Sequence, residues 1–131
     1  MFDLTDRVSL VSGAASGMGK AIALAVAEAG SDVVLADIDE EGAQATAGEI
    51  EALGRKALPV VCDIASPEAI RAMFSQIDET FGRIDFVANI AGEAVRKKPE
   101  VIELEEVEWT WRNIVYGRFC ICQEAGRRML E

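Results

Sequence analysis

The stretch LVSGAASGMGKAI, Leu10 to Ile22, sets Gly13, Gly17 and Gly19 between an apolar stub and an amphipathic run. Glycines so spaced let a strand turn sharply into a helix, whose first amides then face outward at the positive end of the helix dipole, a setting that suits a phosphate. Taken alone the pattern also fits a helix that simply packs close on its strand. Three polar residues at the ends of later apolar runs, Asp37, Asp63 and Asn89, add to it. A carboxylate at Asp37 accepts both hydroxyls of an adenosine ribose and repels a 2′-phosphate, which predicts NAD in preference to NADP. No Lys or Arg adjoins Gly17, where Ser16 and Met18 stand, or follows Asp37, where Ile38 and Asp39 stand; Lys20 is the nearest cation. Asp63 is placed to meet an adenine amino group or to act only as a turn acid, and Asn89, beside the flexible Ala91-Gly92 step, lines the same crevice or ties down its own loop.

These residues need a scaffold that brings strand ends together, and the apolar pattern supplies one. Short runs rich in Val, Ile and Leu alternate with helical windows, the signature of βαβ units around a parallel sheet. Strands are expected at Arg7–Ser12, Asp32–Asp37, Lys56–Cys62 and Ile84–Asn89. The first helix is expected to turn Met18, Ile22, Ala25, Val26 and Ala29 inward and to stop at Gly30. The second begins near Asp39, buries Ala43, Ala47 and Ile50, and ends by Gly54; the third starts at a Ser66 cap with Pro67 in its first turn and buries Ile70, Met73, Phe74, Ile77 and Phe81. Right-handed crossovers then give an α/β doubly wound, Rossmann-like parallel sheet in strand order 3-2-1-4, with the crevice at the carboxyl ends between the first and fourth strands. After a polar loop one long helix runs from about Glu103 to the end, with Leu104, Val107, Trp111, Phe119, Cys122 and Met129 among its apolar positions. One domain over residues 1–131 is expected.

Composition removes several classes of function. The net charge is -10, from 13 Lys and Arg against 23 Asp and Glu, which disfavours nucleic acid and anionic membrane surfaces as partners. No run approaches the roughly 20 apolar residues of a membrane span. The N-terminus lacks the apolar core of a signal peptide, so a cytoplasmic location is expected. Cys62, Cys120 and Cys122 are odd in number, lack CxxC spacing and have no His beside them, so reduced thiols and no metal are expected.

SGAASGMG at Ser12 to Gly19, Asp37, CDI at Cys62 to Ile64 and NIAG at Asn89 to Gly92 resemble, in order and spacing, the short-chain dehydrogenase/reductase family, whose patterns read TGxxxGxG and NNAG. The resemblance spans roughly residues 5 to 92, leaving the loop and long helix of 93–131. It implies NAD cradled by Gly13, Ser16, Gly17, Met18 and Gly19, ribose on Asp37, adenine against Asp63 and Ile64, and a nicotinamide-side loop held near Asn89 and Gly92. Ser12 stands where the pattern has Thr, and Ile90 where it has a second Asn.

The resemblance further implies hydride transfer between NAD(H) and a small alcohol or carbonyl, with proton transfer by a Tyr, a Lys four residues later and a Ser. That set is absent, and its segment is expected just beyond the point where this chain stops. The single Tyr, Tyr116, has Cys120 at the fourth following position, no Lys follows Lys98, and there is no His. Asn113 and Tyr116 remain as candidate catalytic residues, although Asn113 lies four residues before Gly117 where the family's Asn lies three before. Three outcomes stay open: an NAD-dependent oxidoreductase, a catalytically inactive NAD-binding or interaction module, or a folded remnant with no ligand. An open fourth strand and an uncovered last helix predict a homodimer or larger assembly.

Overall fold

The computed structural model describes residues 2–131. Its sheet is built from β1 (Val8–Ser12), β2 (Asp32–Asp37), β3 (Ala57–Val61) and β4 (Phe86–Asn89), all parallel, in the order β3-β2-β1-β4. Strand order and type are as the sequence pattern predicts. β4 begins later than expected because Ile84 and Asp85 form the entry to the strand: Ile84 is buried, and the Asp85 amide donates to the Val8 carbonyl (2.9 Å).

Helices cover both faces. Alternate residues of β1 and β2 serve opposite layers: Leu10 and Val34 pack with α3 (Pro67–Thr80) and the last helix, whereas Val11, Val33 and Leu35 pack with α1 (Gly17–Glu28) and α2 (Glu40–Ala52). α2 and α3 bury the residues the spacing picks out, with Phe81 only partly buried at the end of α3. α1 does so only in part: Ile22 and Val26 are partly buried against the core, Ala25 is exposed and Met18 stands 67% exposed at the sheet's carboxyl edge, while the fully buried residues are Gly19, Ala23 and Ala27, a small-residue stripe that lets the helix lie close on the sheet.

The last helix departs most from expectation. It starts as α4 (Leu104–Trp111), passes through a π-helical turn at Arg112–Tyr116, and continues as α5 (Gly117–Met129). The turn is marked by the Gly117 amide donating to the Arg112 carbonyl, five residues back. The buried residues are Asn113, Gly117, Cys120, Ile121, Glu124 and Ala125, whereas Leu104, Trp111, Phe119 and Met129 are exposed. The buried acid Glu124 is met by Arg127 and Arg128, and Arg128 also forks onto Asp78 (both 2.7 Å), tying α5 to α3. Among the described residues no helix is long and apolar enough to cross a membrane.

Candidate functional site

The bend between β1 and α1 is fixed from behind by its own amides. Gly13 donates to the Ala36 carbonyl (2.8 Å), Ala15 donates to Asp37 Oδ2 (2.9 Å), and the Thr46 hydroxyl holds the Ala14 carbonyl (3.1 Å). Gly13 has φ +73°, a left-handed conformation that favours glycine, and its missing side chain leaves room for the Ala91 backbone. At Gly19 a Cβ would overlap the Gly13 carbonyl, so the helix start can sit on the bend only as glycine.

That geometry leaves α1 with a free amino end. The first intrahelical bond runs from the Lys20 amide to the Ser16 carbonyl (3.2 Å), so the amides of Gly17, Met18 and Gly19 have no helical acceptor. Ser16 caps nothing with its side chain and no acid lies in the first turn, whereas α2 is capped by Asp39 and α3 by Ser66, each with acids in the first turn. Of the helices that follow strands, α1 is thus the one whose dipole and amides are left for an outside anion.

A crevice of about 390 Å³ opens above this end, lined by Gly13, Ser16, Met18, Gly19, Asp37, Ile38, Cys62, Asp63, Ile64, Ile90, Ala91, Gly92, Glu93, Trp109 and Asn113. Most of the sequence-predicted cofactor residues meet here. Gly17 is not among the lining residues but begins α1 with φ +56°, so its amide belongs to the free helix end. Asn89 is turned away: its Nδ2 donates to the Arg118 carbonyl (3.4 Å) and to Cys122 Sγ (3.2 Å), which binds the end of β4 to α5.

The loop after β4 is held by two side chains. Ser12 Oγ accepts from the amides of Ile90 (3.0 Å) and Ala91 (3.1 Å), so the hydroxyl retained in place of Thr anchors this loop to β1. Ile90 cannot supply the hydrogen bond of the Asn it replaces, and Arg118 reaches over from α5 to the carbonyls of Ala91 (3.2 Å) and Ile90 (3.4 Å).

Asp37, Asp63 and Glu93 line the crevice and no Lys or Arg does; Arg118 lies against its nicotinamide-side loop, on the Ile90 and Ala91 carbonyls, and Lys20 is spent on Glu49 (2.7 Å). The Cys62 thiol is pushed up to about 11, first by burial and then by the Asp63 and Cys120 charges, so it stays protonated at neutral pH.

The two catalytic candidates separate. Asn113 is buried and faces the crevice, its Nδ2 donating to the Trp109 carbonyl (3.0 Å). Tyr116 is not in the crevice: it is 61% exposed and lines a different hollow with Val107, Glu108, Trp111 and Arg112. The π turn between Asn113 and Gly117 puts the two on different sides of the helix. Sequence reasoning missed Trp109, Glu93 and Arg118; Trp109 is spaced as a core or interface residue, and the Arg118 contacts join segments 27 and 28 positions apart.

Comparison with known proteins places this geometry in context. A family model described as enoyl-(acyl carrier protein) reductase matches residues 13–131. D-threitol dehydrogenase of Mycolicibacterium smegmatis is 37% identical over 130 residues, 99% of this chain and 50% of that protein. The crystal structure of a short-chain type dehydrogenase/reductase from Mycobacterium marinum superposes with a TM-score of 0.93 at 37% identity, covering 98% of this chain and 51% of that one. A 7α-hydroxysteroid dehydrogenase complexed with NADH and 7-oxo glycochenodeoxycholic acid gives 0.92 at 29% identity, with 97% and 49% covered. The chain spans about half the length of the relatives it matches.

Proposed function

The chain belongs to the short-chain dehydrogenase/reductase family, and on that premise we propose that it is the NAD-binding portion of an oxidoreductase acting between NAD(H) and a small alcohol or carbonyl compound. The observation that carries this reading is the uncapped, acid-free start of α1 with Asp37 at its flank, both opening into one crevice. In it the amides of Gly17, Met18 and Gly19 bind the diphosphate, with Gly13 and Ser16 shaping the cradle. Asp37 takes the adenosine ribose, Asp63 and Ile64 border the adenine, and the loop of Ile90 to Gly92, held by Ser12 and Arg118, borders the nicotinamide side. When bound, NAD(H) supplies or accepts the hydride.

NAD rather than NADP follows from charge. A 2′-phosphate would meet the Asp37 carboxylate with no cation among the crevice residues to offset it. The exposed apolar residues Trp111, Val115, Tyr116 and Phe119 on the last helix, with the open edge of β4, support a homodimer or larger assembly. Light scattering at micromolar concentration tests this, and a strict monomer contradicts it. Three unpaired thiols fit a reducing, cytoplasmic compartment.

A second reading is favoured by one observation. Tyr116 stands outside the crevice, and the crevice residues include no Tyr, Lys or His to carry a proton. The chain by itself then binds NAD(H) without turning over. Titration of tryptophan emission with NADH and with NADPH, followed by absorbance at the nicotinamide band with a panel of alcohols and ketones, separates the two. Saturable binding without turnover supports the binding module; turnover supports the enzyme; no binding of either nucleotide refutes both.

A further inference from the structure

Two side chains of the crevice, Trp109 and Asn113, have no part in the account above. We infer that they form an adenine-recognition wall: the indole gives the base a flat apolar face, and Asn113 Oδ1 accepts a hydrogen bond from its amino group. The inference rests on the NAD reading and deepens it.

Position comes first. A Cβ on Gly117 would overlap the Ile64 carbonyl, so this face of the last helix is pressed against the loop that follows β3, the loop that carries Asp63. Trp109, Asn113 and Gly117 follow one another at steps of four along the helix, and the first two line the crevice together with Ile38, Asp63 and Ile64. Apolar side chains thus border a slot from two elements: Ile38, 67% exposed, after β2, and Trp109, 41% exposed, on the helix, with Ile64, buried in the core, contributing little surface. A purine fits such a slot by stacking, and an indole offers the largest face for it.

Hydrogen-bonding capacity comes second. Asn113 is buried, and its Nδ2 is spent on the Trp109 carbonyl at 3.0 Å. Among the described residues no donor reaches its Oδ1. Asn113 lines the crevice, and with Nδ2 engaged its Oδ1 is the half of the amide left to accept from a ligand. Asp63 spends Oδ1 on the Ala65 amide (2.9 Å) and keeps Oδ2. An adenine amino group has two N–H bonds, and these two side chains supply two acceptors. A carboxamide does not take or release a proton near neutrality, so this role suits Asn113 better than proton transfer.

The test uses the intact chain and two dinucleotides, NADH and its deaminated analogue nicotinamide hypoxanthine dinucleotide, measured by calorimetry. The wild type should bind the analogue about tenfold more weakly, since one base hydrogen-bond donor group is lost. Asn113→Leu, similar in size without the acceptor, should bring that ratio to about threefold or below; Trp109→Ala should weaken both ligands about tenfold with the ratio unchanged. A measurement independent of those variants' folding uses Trp111→Phe, which leaves Trp109 as the sole tryptophan of two. Its emission should change saturably with ADP-ribose, which has no nicotinamide to absorb it. Equal affinity of the wild type for the two dinucleotides, or unchanged Trp109 emission while calorimetry shows ADP-ribose bound, overturns the adenine wall. Failure of the wild type to bind NADH or ADP-ribose at all overturns the NAD reading itself.

Discussion

Replacing Gly19 by alanine puts a methyl group where the structure has backbone. The added carbon falls 2.6 Å from the Gly13 carbonyl carbon and 3.2 Å from the Ala14 amide nitrogen. Carbon atoms in contact sit about 3.5–4.0 Å apart, so the start of α1 must retreat from the bend by about 1 Å. No flexible side chain can yield instead, because the bend is pinned by the Gly13 bond to Ala36 (2.8 Å) and the Ala15 bond to Asp37 (2.9 Å). Overpacking of this kind costs about 3 kcal/mol, the upper end of its usual range, and the gain from Gly to Ala in a helix returns about 1 kcal/mol. A net loss of about 2 kcal/mol should appear in urea unfolding. NADH affinity should fall more steeply than stability, since the displaced amides are the ones assigned to the diphosphate. Gly48→Ala is the control: it lies exposed in α2 with nothing within 4 Å of the added carbon, and should stabilise the chain by about 1 kcal/mol. If Gly19→Ala unfolds at the wild-type midpoint and binds NADH as the wild type does, the close packing of bend and helix is refuted.

Other perturbations have determined signs. Ser12→Ala removes the acceptor shared by the Ile90 and Ala91 amides and should cost about 1–3 kcal/mol in urea unfolding, with greater hydrogen exchange confined to residues 90–92. Burial works to raise the Asp85 carboxyl, but the bonds from Arg83, the Val8 amide and Arg7 outweigh it and hold the group below its ordinary value. Its contribution to stability is therefore complete above the unfolded pKa of about 3.9 and is lost as pH falls through the lower folded value, and Asp85→Asn should flatten that acid limb of the stability profile. With Cys62 and Cys120 held high chiefly by burial and Cys122 exposed, a thiol-disulfide reagent should react fast with Cys122 alone in the native chain, and Cys122→Ser should remove the fast phase.

The sheet was legible because its strands are short apolar runs buried on both faces and separated by turn residues. Helices α2 and α3 were legible because their caps, Asp39 and Ser66, are side chains that announce a helix start. The buried face of α1 was not: apolar periodicity favours Ile22 and Val26, but the close approach at Gly19 selects Ala23 and Ala27, a steric effect that hydrophobicity does not report. The π turn left one trace in the sequence, the extra residue between Asn113 and Gly117, and nothing to say on which side it places Tyr116. Asn89 and Arg118 act across long sequence separations, bonding β4 and its loop to α5, so their contacts follow from tertiary packing alone. Trp109 carries no distinguishing sequence signal for a related reason, since an exposed aromatic on a helix looks alike whether it faces a partner or a crevice.

The central claim is that the free amides of α1 and the carboxylate of Asp37 together select the dinucleotide without a 2′-phosphate. Equilibrium binding of NADH and NADPH to the wild type and to Asp37→Ser tests it most directly. The wild type should prefer NADH by at least about tenfold, and the serine variant should lose most of that preference by gaining NADPH and weakening NADH. Equal affinities in the wild type, or a preference unchanged by the substitution, would contradict it.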